Sequence, residues 1–353
     1  MGYSVKFIII LERVNLLINS SPTILVTGAT GHIGNVLVRK LVEKGESVRA
    51  LILPGEDASH LNGLAIEKVI GDVLDTRVLS ESFQGIRWVF HLAGIISIMP
   101  RENAFLRRVN VEGTINVLKA AMNAGVDRLV YTSSIHALAR IPHGSMVDEN
   151  VPFDPENPYG VYDQSKAEAT LHVMQAAQNG LNAVIACPTG VIGPYDFRQS
   201  MMGSVIFSAA LRKLTPYVDG AYDFVDVRDV ADGLIAAAEK GKRGASYILS
   251  GQRISVRYLL ETVREVTGYG FARFKVPLPL AQFAAHFTPM YYRISRTNPR
   301  FTPYSLEVLQ SNSVISHAKA TRELGYQPRP LFESIRDAID WFVENSRKNP
   351  SQA

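Results

Sequence analysis

The fold is decided by the stretch TILVTGATGHIG, residues 23–34. Its first five residues are an apolar, β-branched run of the kind that forms a buried strand. Three glycines follow, and an apolar helical pattern runs on from Asn35 to Lys44. In such a strand–turn–helix unit the backbone can approach a pyrophosphate, which the free N–H groups at the helix N-terminus bind. We therefore expect a dinucleotide to be bound by Gly28, Thr30, Gly31, His32, Ile33 and Gly34.

The rest of the first half repeats this alternation of strand and helix. Apolar runs at 47–53, 66–70, 88–92, 128–132 and 183–186 predict strands, and residues 104–124 and 165–179 carry helical patterns. Alternating strands and helices predict a parallel sheet joined by crossover helices. We therefore predict an α/β fold with a doubly wound, Rossmann-type sheet over residues 21–187. A smaller, mostly helical C-terminal substrate lobe follows over residues 188–353, and a late strand near 246–249 returns to the sheet.

Composition narrows the class of protein. The 353 residues are 46% hydrophobic and 20% charged, with a net charge of +4 and one cysteine, Cys187. A lone cysteine cannot form an intrachain disulfide, and scattered basic residues do not favour nucleic-acid binding. Residues 1–20 are apolar but are interrupted by polar residues, so we interpret them as an extra strand or helix rather than a signal or membrane span. We therefore predict a cytoplasmic protein that acts on a small molecule and does not bind membranes or metals. A homodimer is compatible with the sequence.

The residue at the tip of the second strand normally distinguishes NAD from NADP. Here it is Leu53, which can neither accept a bond from the ribose 2′-hydroxyl nor bind a 2′-phosphate. Glu56 and Asp57 in the next loop would repel a 2′-phosphate if they fold back, but both acids could instead face solvent. Either cofactor, NAD or NADP, is compatible with this pattern, and the two acids favour NAD.

Other candidate cofactor contacts follow the third and fourth strands. Asp72 can accept a bond from the adenine amino group, while Val73 covers the ring. Leu92, Ala93 and Gly94 end the fourth strand at the carboxyl edge of the sheet, where open α/β sheets bind ligands. His91, just before them, is interpreted as a packed strand residue rather than a catalyst.

The motif Tyr162-Asp163-Gln164-Ser165-Lys166 predicts the chemistry. Residues four apart share a helix face, so Lys166 can lie beside the Tyr162 hydroxyl. A neighbouring cation is expected to lower the pKa of a phenol, which then exchanges a proton with a carbonyl or an alcohol. Lys166 can also reach the ribose of the cofactor. Ser133 or Ser134, at the end of the fifth strand, can hold the substrate oxygen against Tyr162.

Taken together, these motifs resemble the extended short-chain dehydrogenase/reductase family, most closely its dihydroflavonol-4-reductase-like and nucleotide-sugar-epimerase-like branches. The resemblance covers Ile24 to about Phe342 and implies that Ser134 is the catalytic serine, with Tyr162 as acid/base and Lys166 as its partner. It also implies supporting roles for Asn110, behind the active site, and for Arg228, as a substrate contact. Further cofactor contacts are implied at Thr132, Ser133, Pro188, Gly190 and Val191.

Three functions are compatible with this family. The first is reversible carbonyl reduction and alcohol oxidation with a nicotinamide cofactor. The second is epimerisation of a sugar nucleotide, which needs a diphosphate-binding cluster drawn from Arg198, Arg212, Lys213 and Arg228. The third is a non-catalytic redox-sensing regulator, against which the intact Tyr162 and Lys166 argue.

The pocket for the substrate is expected to be apolar. The candidate lining residues are His136, Tyr195, Phe197, Met201, Met202 and Phe224. The alternative interpretation is that most of them belong to the core of the small lobe.

Overall fold

The computed structural model describes residues 23–97, 104–158, 160–211, 215–268, 273–295 and 302–348. The predicted N-terminal extension, residues 1–20, lies outside these ranges, as do Arg212 and Lys213. Within the described ranges, none of the helices combines the length and the apolar character needed to cross a membrane.

Seven parallel strands form the central sheet. Numbered in chain order, they are β1 (Ile24–Thr27), β2 (Val48–Ile52), β3 (Ile66–Ile70), β4 (Trp88–His91), β5 (Arg128–Thr132), β6 (Ala183–Pro188) and β10 (Ser246–Leu249). Their order across the sheet is β3-β2-β1-β4-β5-β6-β10, and every neighbouring pair is parallel. The chain winds outward from β1 to β3 and then returns to β4, so a crevice opens at the carboxyl ends of β1 and β4. The predicted doubly wound sheet is confirmed.

Helices cover both faces of this sheet. They are α1 (His32–Glu43), α2 (Thr76–Ser82), α3 (Ala104–Arg107), α4 (Gly113–Ala124), α5 (Val161–Gln178) and α7 (Val227–Lys240). Leu25 packs into the core beneath α2, α4 and α5, whereas its neighbour Val26 packs into the core beneath α1 and α7. Successive residues of a strand point to opposite faces, so a strand buried on both faces reads as a continuous apolar run.

The C-terminal lobe is mostly helical, as predicted, but it contains more strands than expected. Its helices are α6 (Met201–Ala210), α8 (Val256–Thr267), α9 (Leu278–Ser295), α10 (Pro303–Gln310), α11 (Ala318–Leu324) and α12 (Leu331–Lys348). Three strands, β7 (Gly190–Ile192), β9 (Ala221–Asp226) and β11 (Gln252–Ser255), form one small sheet, and β8 (Thr215–Tyr217) pairs with β12 (Arg273–Lys275). The sequence predicted only the late strand β10, because the other five are either three residues long or contain charged residues, and they depend on distant partners.

Two helices differ from their predicted extents near the site. The pattern over residues 104–124 is interrupted by a π-helical turn, Arg108–Glu112, between α3 and α4. Helix α5 begins at Val161 rather than Ser165, so Tyr162 lies in its first turn. The domain limit at residues 187 and 188 stays a prediction.

Candidate functional site

The glycine-rich turn between β1 and α1 forms a cradle. Gly28 has a φ of +70°, and a Cβ placed there would lie 2.7 Å from the backbone nitrogen of Ala93. A Cβ on Gly34 would lie 2.0 Å from the carbonyl oxygen of Gly28. No side chain caps the N-terminus of α1, and its first turn holds no acidic residue. Close backbone approach and unblocked helical N–H groups fit the pyrophosphate of a dinucleotide.

Beside this cradle, the loop after β2 folds back toward the turn. Leu53 is 45% exposed. The Glu56 carboxylate accepts a hydrogen bond from the Thr30 hydroxyl and pairs with the guanidinium of Arg198, which also donates to Thr30 at 2.9 Å. Asp57 remains exposed and accepts a bond from the backbone of Ser59 at 2.9 Å. Glu56 therefore folds back toward the turn, where its charge would repel a 2′-phosphate, whereas Asp57 faces solvent.

The predicted contacts after β3 and β4 lie along the same edge. Asp72 is half-buried and accepts a bond from the backbone nitrogen of Leu74 at 2.9 Å. Val73 is buried, and its side chain lies against Gly113. His91 is fully buried, and its two ring nitrogens bond the hydroxyls of Thr27 and Thr114 at 2.7 and 3.0 Å, which is the packing role expected of it.

Asn110 ties the loop after β4 to helix α5. It lies in the π-helical turn and is buried. Its amide donates to the Ile95 carbonyl at 3.0 Å and to the Ser165 hydroxyl at 2.9 Å, and its oxygen accepts from the Ile95 nitrogen at 2.7 Å. All the hydrogen-bonding groups of the side chain hold backbone or helix α5 in place, so Asn110 acts in the site by positioning.

The serine, tyrosine and lysine meet at the carboxyl end of β5. The Ser134 hydroxyl lies near enough to that of Tyr162 to lower its pKa. Lys166, which is buried, donates to the backbone carbonyl of Thr132 at 2.6 Å. Ser133 instead shares a 2.6 Å hydrogen bond with Thr170 on α5. Of the two serines that the sequence left open, the structure brings Ser134 to Tyr162.

The expected electrostatic effect of Lys166 is not what the structure shows. Burial raises the pKa of Tyr162 to about 12 and lowers the pKa of Lys166 to about 7. The Ser134 hydrogen bond lowers the pKa of Tyr162, but burial outweighs it. The expectation that Lys166 lowers the pKa of Tyr162 was therefore wrong. Burial disfavours both the phenolate of Tyr162 and the ammonium of Lys166.

The loop after β6 borders the same edge. Pro188 ends β6 beside Leu249 of β10, and Gly190 and Val191 begin β7. Between them, Thr189 donates to Asp223 of β9 at 2.6 Å. This bond fastens the predicted cofactor loop to the small sheet of the C-terminal lobe.

The predicted substrate residues separate into two groups. The His136 ring lies 6.4 Å from the Tyr162 ring, centroid to centroid. Tyr195 instead bonds Asn35 of α1 through its carbonyl and lies under the Arg39 guanidinium, and Phe197 stacks on His60 at 4.6 Å. These contacts are with helix α1 and the loop after β2, so the structure does not bring Tyr195 or Phe197 to Tyr162.

Two further predicted substrate residues have structural contacts. Arg228 pairs with Asp226 at 2.7 Å and with Asp337 at 2.8 Å. Phe224 is buried in the main core. We do not carry either residue forward as a substrate contact.

Sequence reasoning missed three neighbours of the site: Asp163, Tyr222 and Tyr304. Tyr304 donates a 2.6 Å hydrogen bond to Asp163 across 141 residues of sequence. Tyr222 bonds His136 at 2.8 Å. Only Asp163 carried a signal, since it lies inside the motif from Tyr162 to Lys166. Over the described ranges no cluster of three or more His, Cys, Asp or Glu side chains is placed to hold a metal ion.

Comparison with known proteins agrees with this geometry. Residues 24–250 match the model of the NAD dependent epimerase/dehydratase family. Sterol demethylase protein B of Methylococcus capsulatus is 36% identical over 324 residues, covering 91% of this chain and 98% of the relative. A putative dihydroflavonol 4-reductase of Synechocystis is 34% identical over 334 residues, covering 94% and 97%. The crystal structure of gox2253 has a TM-score of 0.81 at 33% identity and covers 93% of this chain and 99% of its own. The chain belongs to the NAD dependent epimerase/dehydratase family, within the extended short-chain dehydrogenases/reductases, and is an NAD(P)-dependent oxidoreductase.

Proposed function

We propose that the protein reduces a ketone or aldehyde of a largely apolar substrate, and oxidises the corresponding alcohol in the reverse direction. The observation that carries this proposal is the meeting of Ser134, Tyr162 and Lys166 at the sheet edge, beside the cradle at Gly28. A hydroxyl pair of this kind can hold a carbonyl oxygen and protonate it.

Each residue has a separate role in the proposed reaction. Ser134 donates a hydrogen bond to the substrate oxygen, and Tyr162, whose raised pKa keeps it protonated at neutral pH, gives that oxygen its proton. Lys166 fixes the start of α5 against β5 through Thr132 and lies where it can bind the cofactor ribose. When bound, the nicotinamide supplies the hydride. The residues that would hold this cofactor are the glycine-rich turn, the edge from Leu92 to Gly94, and Lys166.

Two structural features and the names of two relatives support an apolar substrate. Ile96, in the loop that Asn110 ties down through Ile95, is 75% exposed. The His136 ring lies beside the Tyr162 ring and is itself stacked on the Tyr222 ring, so aromatic side chains border this part of the site. The names of the two relatives refer to a sterol and to a dihydroflavonol, both polycyclic. We therefore infer a polycyclic carbonyl compound as the substrate class.

Two of the arginines considered for the diphosphate site of an epimerase are already paired with acidic residues. Arg198 is paired with Glu56 in the loop after β2, whereas Arg228 is paired with Asp226 at the end of β9. An arginine whose charge is already paired gives little attraction to a diphosphate. This favours reductase over epimerase.

We further propose NAD as the preferred cofactor. Glu56 lies beside the glycine-rich turn, where its negative charge repels a 2′-phosphate and its oxygens can accept from a ribose hydroxyl. Cytoplasmic location and a homodimer stay predictions.

The test measures NADH oxidation by the purified protein with a series of ketones of increasing size. Suitable probes are 2-tetralone, a flavanone and a 3-ketosteroid, with UDP-glucose as the probe for epimerisation. We expect oxidation of NADH with at least one ketone and no conversion of UDP-glucose to its epimer. Epimer formation without any NADH oxidation across the panel would reject the proposal.

A further inference from the structure

Helix α9 of the C-terminal lobe presents large apolar side chains to solvent. Leu280, Phe283, Phe287 and Met290 are each more than half exposed. An α-helix turns by about 100° per residue, so these four side chains lie within about 80° of one another around the helix axis. The rings of Phe283 and Phe287 contact each other edge to face, with their centroids 5.3 Å apart. We call these four residues the apolar stripe.

The opposite face of α9 carries small residues and is the face that is buried. Ala281 and Ala285 pack with Val218 and Leu306 in a small core of the C-terminal lobe. A helix on a protein surface normally buries its large apolar residues and exposes polar ones. Helix α9 does the reverse, so packing within the described part of the chain does not account for the stripe. Contiguous exposed apolar surface of this kind marks a site that binds another molecule.

The sequence around the stripe carries charge of one sign. Residues 276–292 contain no Asp, Glu, Lys or Arg, and residues 266–306 contain no Asp or Glu at all. Two basic residues precede the uncharged run and three follow it, namely Arg273, Lys275, Arg293, Arg296 and Arg300. Lys275 pairs with Asp219 at 2.6 Å, but both side chains are exposed and such pairs are weak. An apolar stripe flanked by basic residues complements a bilayer with negatively charged head groups.

A second copy of the chain complements the stripe less well. In a two-fold interface the same patch of both chains meets, which brings together the basic residues that flank it. Like charges repel each other, and more strongly where water is excluded. Anionic head groups instead attract every one of these basic residues. Charge therefore favours a lipid surface as the occupant.

The stripe is connected to the candidate active site through α10. Leu306 of α10 packs against α9. Tyr304 of the same helix donates a 2.6 Å hydrogen bond to Asp163 of α5, the residue next to Tyr162. The helix that bears the stripe and the helix that bears Tyr162 therefore both contact α10.

We propose that the apolar stripe of α9 binds the surface of a membrane with anionic head groups, with the helix lying parallel to that surface. The proposal departs from the sequence-based expectation of a protein that does not bind membranes. It needs no helix that crosses the bilayer, and none of the helices in the described ranges could do so. A bilayer is also where an apolar polycyclic compound dissolves, which connects the stripe to the proposed function. Binding to the membrane itself does not depend on that function.

The experiment measures binding of the full chain to lipid vesicles by flotation. One vesicle consists of phosphatidylcholine, and the other of phosphatidylcholine and phosphatidylglycerol in equal parts. We expect tighter binding to the anionic vesicle, and weaker binding as salt is added, because salt screens the basic residues. Phe283→Asn should lower the partition coefficient for the anionic vesicle at least about tenfold, the scale of one buried aromatic side chain. Adding Phe287→Asn should lower it further.

Met146→Asn is the matched control, because Met146 is an apolar side chain of similar exposure that lies outside the C-terminal lobe. It should leave the partition coefficient at its wild-type value. A second measurement does not depend on a loss of binding. In Phe283→Trp, the fluorescence emission should move to shorter wavelength when anionic vesicles are added, whereas Met146→Trp should show no added shift.

Equal vesicle binding by Phe283→Asn and the wild type, or an emission of Phe283→Trp that vesicles leave unchanged, would overturn the proposal. A wild-type chain that stays off the vesicles and forms a dimer that Phe283→Asn disrupts would assign the stripe to a second copy, and would overturn it as well. Failure to reduce any ketone would instead overturn the proposed function and leave a measured vesicle binding standing.

Discussion

Lys166 donates a 2.6 Å hydrogen bond to the backbone carbonyl of Thr132, and so ties the catalytic helix to the strand that leads to Ser134. Its ammonium group also lies 4.5 Å from the centre of the Tyr131 ring. With its pKa lowered to about 7 by burial, Lys166 is charged in only part of the molecules at neutral pH. In the chain itself, the bond to Thr132 holds helix α5, which carries Tyr162, against the end of β5.

Replacing Lys166 with Met should impair both turnover and cofactor binding. The variant leaves the Thr132 carbonyl without its buried donor and removes the group proposed to bind the ribose. We expect NADH affinity, measured by fluorescence titration, to fall by about tenfold, the scale of one lost hydrogen bond to a charged group. Unchanged NADH affinity would remove the ribose role of Lys166.

Tyr162→Phe should separate chemistry from binding. The change keeps the ring and removes the hydroxyl that we propose as the proton donor. Turnover with the ketone probe should fall at least about 100-fold, the scale of lost acid catalysis, while NADH affinity stays near the wild-type value. An equal loss of NADH affinity and turnover would contradict the role of Tyr162, and Lys166→Met serves as the comparison in which both fall.

Glu56→Gln should shift the choice between the two cofactors. The variant removes the negative charge beside Thr30 and frees the Arg198 guanidinium to meet a 2′-phosphate. We expect the ratio of NADPH affinity to NADH affinity to rise by about tenfold, which corresponds to about 1.4 kcal/mol. Asp57→Asn is the control, because that exposed acid accepts its hydrogen bond from Ser59 rather than from Thr30 and should change the ratio much less than Glu56→Gln does.

Asp163 should make the stability of the protein depend on pH. Its pKa is raised from 3.8 to about 6 in the folded chain, so its contribution is fully present below pH 3.8 and is lost as the pH rises through 6. Between pH 4 and pH 7 the free energy of unfolding of the wild type should fall by about 2 kcal/mol more than that of Asp163→Asn. Denaturant unfolding at the two pH values measures this difference. Asp223, whose pKa burial also raises to about 6, is present in both proteins and cancels in the comparison.

The sequence predicts the frame of the site well because its signals are local. Strands β3, β5 and β10 coincide with their predicted ranges, since each is a short segment rich in β-branched, aromatic or other apolar residues. The placing of Tyr162 and Lys166 on the same face of α5 follows from helix geometry alone. The contacts of Glu56 with Arg198, and of Asp163 with Tyr304, join residues of different lobes. No pattern predicts such contacts, because they depend on how the C-terminal lobe packs on the sheet.

The pKa of Tyr162 could not be predicted from the sequence either. Spacing places a lysine near the phenol but says nothing about how deeply either group is buried. Desolvation decides the direction of the shift here, and it acts on Lys166 as well. The sequence therefore identifies the residues, whereas their protonation states require the structure.

The behaviour of the cofactor during purification should distinguish reductase from epimerase. An epimerase must keep its nicotinamide through a whole cycle, because its keto intermediate needs the same hydride back. A reductase exchanges its cofactor at every turnover.

Leu53 at the tip of β2 is exposed and offers no polar contact to the ribose, which favours weaker binding and hence exchange. We therefore expect the purified chain to lose most of its cofactor on desalting and to oxidise added NADH when a polycyclic ketone is supplied. Stoichiometric cofactor that survives repeated dialysis, together with no net NADH oxidation, would instead support the epimerase, for which UDP-glucose is the probe.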